Sequence, residues 1–298
     1  MEPNWDDLRV FLAVARLQSI SGAGRSLKLD PATVGRRIQR LEEALGATLF
    51  AKSPQGYSLT PDGEGLMARA EQAEQAITLA SEETRGERGT LSGTVRIGAT
   101  DGCANFVLPR VCTQMCERHP GLDVQVVAQP RMVNLSRREA DMAVVVSPPQ
   151  TGRLTVQRIA DYKLHLAASR RYLRRHDPIE SVADLKNHRM VGYIPDMIFD
   201  KELDYQSETG KAEVEMASNS VSVQLNFLRQ SAGVGILHDF VRPFAPNLEQ
   251  ILVDQFSLTR SFYLIRHADD AKVERLARFS AELLDGVRNE LARLESAT

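Results

Sequence analysis

Between Asp30 and Gly46 lies the segment that most constrains how this chain folds. Asp30 is a favourable N-cap, Pro31 takes the first helical position, where its missing N–H costs nothing, and Gly46 ends the run. At about 100° per residue, Val34, Ile38, Leu41 and Leu45 fall in one narrow arc that must face a core. Ala32, Thr33, Arg36, Gln39 and Arg40 fall on the opposite side, with Arg37 at its flank. The exposed face is small at its N-terminal end and basic in its middle. A helix entering a DNA major groove needs this arrangement, because small side chains allow close approach and guanidinium forks reach bases or phosphates. Arginines lying in water beside Glu42 and Glu43 would give the same wheel.

The flanking segments favour the first reading. Leu8, Phe11, Leu12 and Ala15 have the spacing of a helix with one buried face, and Gly22–Leu27 suits a short helix packed close to a neighbour. After the basic helix, Leu49–Lys52 and Tyr57–Thr60 are predicted as two strands around the turn Ser53-Pro54-Gln55-Gly56. Such a hairpin sits where a wing would follow the DNA backbone, with Lys52 meeting phosphate. From Asp62 to about Arg88 a long helix is expected, with Thr60, Pro61 and Asp62 at its start. Leu66, Ala70, Ala73, Ile77 and Ala80, spaced 4, 3, 4, 3, form a heptad seam suited to a close-packed helix pair. Gly86, Gly89 and Gly93, with Thr90 and Ser92, read as a hinge.

These residues resemble the LysR-type transcriptional regulators. Leu8–Ala15 is similar to that family's first helix, Arg36–Gly46 to its recognition helix, and Leu49-Phe50 with Gly56–Gly63 to its wing and linker start. Many members begin the recognition helix with Ser-Gln-Pro-Ala-Val-Ser, whereas this chain has Asp30-Pro31-Ala32-Thr33-Val34-Gly35. Those positions approach the bases, so the binding mode carries over and the operator sequence does not. The resemblance implies a homodimer joined through the linker helix, tetramers that bend DNA, and two recognition helices about 34 Å apart. RNA polymerase is a candidate further partner.

The remaining two hundred residues alternate strands and helices, which favours α/β. Strands are predicted at Thr94–Ala99, Leu122–Ala128, Asp141–Val146, Lys163–Ala168, Met190–Tyr193, Ala212–Met216, Val234–Leu237 and Phe262–Arg266. Helices are predicted at Phe106–Arg118, Ser220–Ser231 and Val273–Leu294. With Ala140–Val146 and Gly233–Ile236 as landmarks, this region resembles the family's effector-binding pair of Rossmann-like subdomains, related to periplasmic solute-binding proteins. The fold class expected is therefore an N-terminal all-α winged helix-turn-helix followed by α/β. Residues 1–61 are assigned to DNA binding and 62–92 to the linker, dimerisation helix and hinge. Residues 93–298 are assigned to effector binding, with subdomain I at about 93–162 and 267–298 and subdomain II at about 163–266.

In such folds a small-molecule effector sits outside the carboxyl ends of strands and uses helix N-termini as donors. The candidates are Thr100, Asp101, Ser147, Asn219 and Ser220, four of which are also ordinary N-cap residues. A carboxylate at position 101 would repel an acidic effector. The effector expected is thus cationic, zwitterionic or hydroxyl-rich, unless Asp101 caps its helix and points away. Cys103 follows a predicted strand at a helix start, which lowers a thiol pKa, so a redox sensor using Cys103 in place of an effector is the alternative. Cys112 and Cys116, one turn apart, read as buried helix residues.

Bulk properties set the remaining limits. The 298 residues are 43% hydrophobic and 26% charged with a formal net charge of −2, so DNA contact must come from a local basic patch. The three cysteines lack paired C-x-x-C spacing, and no metal or cofactor is expected. No apolar run approaches the roughly 18 residues that cross a bilayer, and the acidic N-terminus lacks the marks of a signal peptide; the cytosol is the expected location. P-loop, G-x-S-x-G, H-E-x-x-H and strand-linked G-x-G-x-x-G motifs are missing, which argues against an enzyme.

Overall fold

The computed structural model describes residues 3–53, 56–84, 90–128, 140–149, 153–210, 213–268, 270 and 273–296, in two compact units divided at Gly89/Thr90. The first unit begins with α1 (Trp5–Leu17), α2 (Ile20–Leu27) and α3 (Pro31–Leu45). Each helix starts at a side chain that accepts from its first turn: Asn4 from the Asp6 N–H, Ser19 from Gly22, Asp30 from Ala32. Gly24 sits where α2 turns toward α3; a Cβ there would lie 2.7 Å from the Leu29 carbonyl oxygen, so only glycine permits the approach. Val10, Phe11, Leu12, Val14, Val34, Ile38, Leu41, Leu49 and Phe50 form the core. Leu45 departs from the wheel, with 37% of its surface exposed. It is the last helical residue, and Leu49 takes the core position beyond it.

The strands β1 (Phe50–Ser53) and β2 (Gly56–Leu59) pair antiparallel, from Phe50↔Leu59 to Ser53↔Gly56, one residue offset from the sequence expectation. Pro54 and Gln55 of the expected turn lie outside the described residues. The helix α4 (Pro61–Thr84) then starts at a tight joint. Thr60 Oγ1 donates to the Thr48 carbonyl (2.6 Å) and accepts from the Gly63 N–H (3.1 Å). A Cβ on Gly63 would lie 2.2 Å from the Leu49 carbonyl oxygen. The predicted seam divides: Ala70 is buried, with Leu66 and Met67, against the unit's own core, whereas Ile77 is 46% exposed. The side chain of Ala80, and Gly86 and Gly89 of the hinge, lie outside the described residues.

In the second unit come β3 (Gly93–Ala99), α5 (Asp101–Phe106), α6 (Leu108–Arg118), β4 (Leu122–Ala128), β5 (Met142–Val145), β6 (Leu154–Ser169) and α7 (Arg170–Leu173). Then follow β7 (Met190–Gly192), β8 (Met216–Ala217), α8 (Val221–Arg229), β9 (Val234–His238), β10 (Leu248–Ile251), β11 (Leu258–His267) and α9 (Glu274–Ser296). Among the described residues the sheet order is β4-β3-β5-β11-β6-β9-β7-β8, with β10 also on β6. Two lobes of mainly parallel strands, β4-β3-β5 and β9-β7-β8, are bridged by the long antiparallel pair β6/β11, whose register shifts at Phe262/Tyr263. The bridge strands are longer than the sequence pattern suggests, because polar residues such as Arg158 and Arg260 interrupt their apolar runs. Buried residues of β3, α6, β6, α8, β9 and α9 form one continuous core. Gly93 corrects the hinge assignment: it is the first residue of β3, and its N–H donates to the Gly121 carbonyl (2.8 Å).

Candidate nucleic-acid interface and effector site

The exposed face of α3 is built on a charged brace beneath it. Asp7 of α1 is only 2% exposed, and Arg40 grips it with two hydrogen bonds, one from Nε to Oδ2 at 2.6 Å and one from Nη2 to Oδ1. Arg37 lies 3.7 Å from Asp6. Arg40 keeps 48% of its side chain exposed on the face the wheel assigns it, while its guanidinium turns toward α1 and offsets the charge of a buried carboxylate. Arg36, Gln39 and Ala32 stay exposed and Thr33 half-buried, and their side-chain bonds are local. Arg36 donates to Thr33 Oγ1 at 3.2 Å and Gln39 to Glu43 Oε1 at 3.0 Å. Glu42 accepts the N–H groups of Leu49 (2.7 Å) and Phe50 (3.3 Å), fixing the start of β1 against α3. The Lys52 side chain lies outside the described residues.

In the second unit the sequence-derived residues are brought together, but on one another. Asp101, at the start of α5, accepts from Ser220 Oγ (3.1 Å) and from the Ser222 N–H in the first turn of α8 (3.2 Å), and from Asn105 within its own helix. It therefore neither caps α5 and points away nor stands open; it serves as the anion at the N-terminus of the facing helix. Ser147, after β5, donates to Asp200. Ser220 also caps α8 through Val223 N–H (3.4 Å), whereas the Thr100 side chain makes no cap bond. Asn219 is half-buried beside them.

The cavity lies next to this cluster, and none of the five sequence-derived residues lines it. Its volume is about 220 Å³, bounded by Tyr193, Ile198, Tyr205, Gln206, Val214 and Ile236 among others. Gln206 Nε2 is buried and has no hydrogen-bond partner among the described residues. Burial, and to a smaller degree the charge on Asp101, holds the Tyr193 phenol well above its ordinary range. One sequence signal pointed here: Tyr193 ends the strand predicted at Met190–Tyr193, and ligands gather outside strand carboxyl ends. Behind the cavity, Tyr205 Oη and His238 Nε2 are 3.3 Å apart, and burial lowers the His238 pKa to about 3.

Cys103 is corrected from candidate sensor to core residue. It is fully buried, and burial pushes its thiol far above the ordinary range, against any effect of the helix start. Cys112 is buried too, its thiol pushed up to about 12, and Cys116 is half-buried.

A winged helix-turn-helix carrying an exposed basic helix, followed by a two-lobed α/β ligand-binding region, defines a ligand-responsive DNA-binding regulator. Residues 5–64 match the family model for bacterial regulatory helix-turn-helix proteins of the lysR family, and residues 88–288 match that for the LysR substrate binding domain. The chain belongs to the LysR family of transcriptional regulators, whose members bind DNA and small-molecule effectors and form oligomers. It is 26% identical to the HTH-type transcriptional regulator CrgA of Neisseria meningitidis serogroup C, over 98% of this chain and 99% of that relative. It is 25% identical to the Mau operon transcriptional activator of Paracoccus denitrificans, over 94% and 96%. In fold it is similar to the solved structure of CrgA from Neisseria meningitidis (TM-score 0.60, 24% identity, 95% of this chain and 99% of that one). It is also similar to a full-length OxyR variant from Pseudomonas aeruginosa (TM-score 0.71, 17% identity, 97% and 95%). No helix among the described residues is long and apolar enough to cross a membrane.

Proposed function

We propose that this regulator reads its operator with Ala32, Thr33, Arg36 and Gln39, and anchors to phosphates through Arg37 and Lys52. The observation that carries this reading is the division of labour among the arginines of α3: Arg40 is engaged by Asp7, while Arg36 stands exposed beside the small residues Ala32 and Thr33. Arg40 then acts on DNA by fixing the pose of α3. The effector is sensed at the cleft around Thr100, Asp101, Ser147, Asn219 and Ser220, where its arrival in the adjoining cavity shifts the Asp101–Ser220 and Ser147–Asp200 pairs. Domain limits at 1–61, 62–92 and 93–298 assign reading, dimerisation and sensing. The protein works without catalysis, in the cytoplasm, as a homodimer through α4 that assembles into tetramers, with RNA polymerase as a contact at the promoter.

Footprinting on DNA flanking its own gene, at two salt concentrations, tests the reading. Arg36→Ala is expected to weaken specific binding by about 1–3 kcal/mol, roughly fivefold to 150-fold, with unchanged thermal stability. An Arg36→Ala protein that protects the operator as well as the parent would remove Arg36 from the interface.

A further inference from the structure

Two features of the second unit together define what its ligand cannot be. The N-terminus of α8, the natural seat for a ligand carboxylate in this lobe, already holds the carboxylate of Asp101 through Ser220 Oγ and the Ser222 N–H. The cavity beside it has no cationic side chain among its described lining residues, and its one carboxylate, Asp204, accepts from the Ser207 N–H (3.3 Å). Arg260 lies over the Tyr205 ring, 5.9 Å from its centroid, but its Nε is held by Glu202 at 2.9 Å. An anion entering here would lose its hydration and gain no counter-charge. Most of the walls are apolar or aromatic, among them Val191, Tyr193, Ile198, Leu203, Val214 and Ile236, while the polar Gln224 and Ser207 already donate to the Ser218 and Asp204 carbonyls. Against them, among the described residues, stands one buried donor without an acceptor, Gln206 Nε2. A buried amide donor left unmade is costly, and a ligand that supplies the acceptor recovers that cost on binding. Apolar cavities of about 150 Å³ take a benzene ring, so about 220 Å³ leaves room for a ring with one small substituent.

We infer that the cavity between β7 and the 194–207 segment binds an uncharged, ring-bearing small molecule with one hydrogen-bond acceptor directed at Gln206 Nε2, and that Asp101 excludes carboxylates from the same lobe. The inference rests on the effector-sensing reading and names the chemical class that the site takes. Ring and substituent lie between Val191 and Ile236 of the strands and Ile198 and Leu203 of the covering segment. The carbonyl-type acceptor meets Gln206, so recognition combines shape with one polar contact.

Titration calorimetry on the full-length protein with three probes of matched shape, benzamide, benzoate and toluene, tests this. Benzamide is expected to bind, and benzoate to bind at least about tenfold more weakly. Gln206→Met, which removes the donor and keeps the bulk, should weaken benzamide about tenfold and leave toluene unchanged. Val214→Phe should abolish binding of all three by filling the space. Asp101→Asn, which keeps the shape and removes the charge, should bring benzoate closer to benzamide. Benzoate binding the parent as tightly as benzamide, a benzamide-to-toluene ratio indifferent to Gln206→Met, or no benzamide binding up to its solubility limit would each overturn the inference. Footprinting of the same preparations keeps the two readings apart: intact operator protection with no benzamide binding removes only the ligand class, and lost protection removes the regulator reading.

Discussion

The two units treat their functional polar groups in opposite ways. In the first, the charges that need partners find them beneath the working face: Asp7 takes Arg40, Asp6 takes Arg37, and Glu42 takes the backbone of β1. What remains outward, Arg36 and Gln39, is engaged only within α3. In the second unit the polar groups nearest the expected ligand position close on each other across the cleft, Asp101 on Ser220 and Ser147 on Asp200. The reader is preorganised, with a face complete before its target arrives. The sensor is self-satisfied, with these polar groups already bonded to one another. Preorganisation favours affinity because little is lost on binding, whereas internal bonds beside a ligand site can couple binding to rearrangement.

Breaking the brace in the reader should give the largest effect. Arg40→Ala leaves Asp7 buried without its counter-charge, so thermal denaturation followed at the single tryptophan, Trp5, should fall by several degrees, together with operator affinity. An unchanged midpoint would mean that the brace is not what poses α3. In the sensor, burial lowers the His238 pKa to about 3 from 6.5. The unfolded chain therefore binds a proton that the folded one does not below pH 6.5. This contribution to stability is flat above 6.5 and is lost as pH falls toward 3, at about 1.4 kcal/mol per pH unit. Denaturant unfolding at pH 7.5 and 5.5 should show that slope, and His238→Phe should flatten it. The smallest effect is expected at the cleft itself. Ser147→Ala removes one half-buried hydroxyl and should alter stability by about 1 kcal/mol or less while changing ligand affinity. A larger loss of stability would mark the pair as a fold brace like that of Arg40.

The same contrast explains what the sequence could disclose. The reader is built from local periodicity: Val34, Ile38 and Leu41 lie within two helical turns, so the wheel places them in the core. Arg40 escapes that logic because its partner, Asp7, is distant, 33 positions away along the chain. In the sensor nearly every decisive pairing is of that kind. Ser147 and Asp200 are 53 residues apart, and Asp101 and Ser220 are 119 apart. Loop and strand-end positions were legible from residue type and the rule of strand carboxyl ends; what each side chain would bind was not. Cys103 illustrates the same limit. Its place at a helix start is visible in sequence, whereas its burial comes from the packing of the whole lobe.

The joint at Thr48, Leu49, Thr60 and Gly63 makes the base of the wing and the first turns of α4 a single rigid bracket. With Ala70 packed on the core of the same unit, α4 is a shaft keyed into the reading head at one end. The start of α4 is thus part of the first unit's own fold, held by the base of the wing and the three-helix core rather than by the segment that follows it.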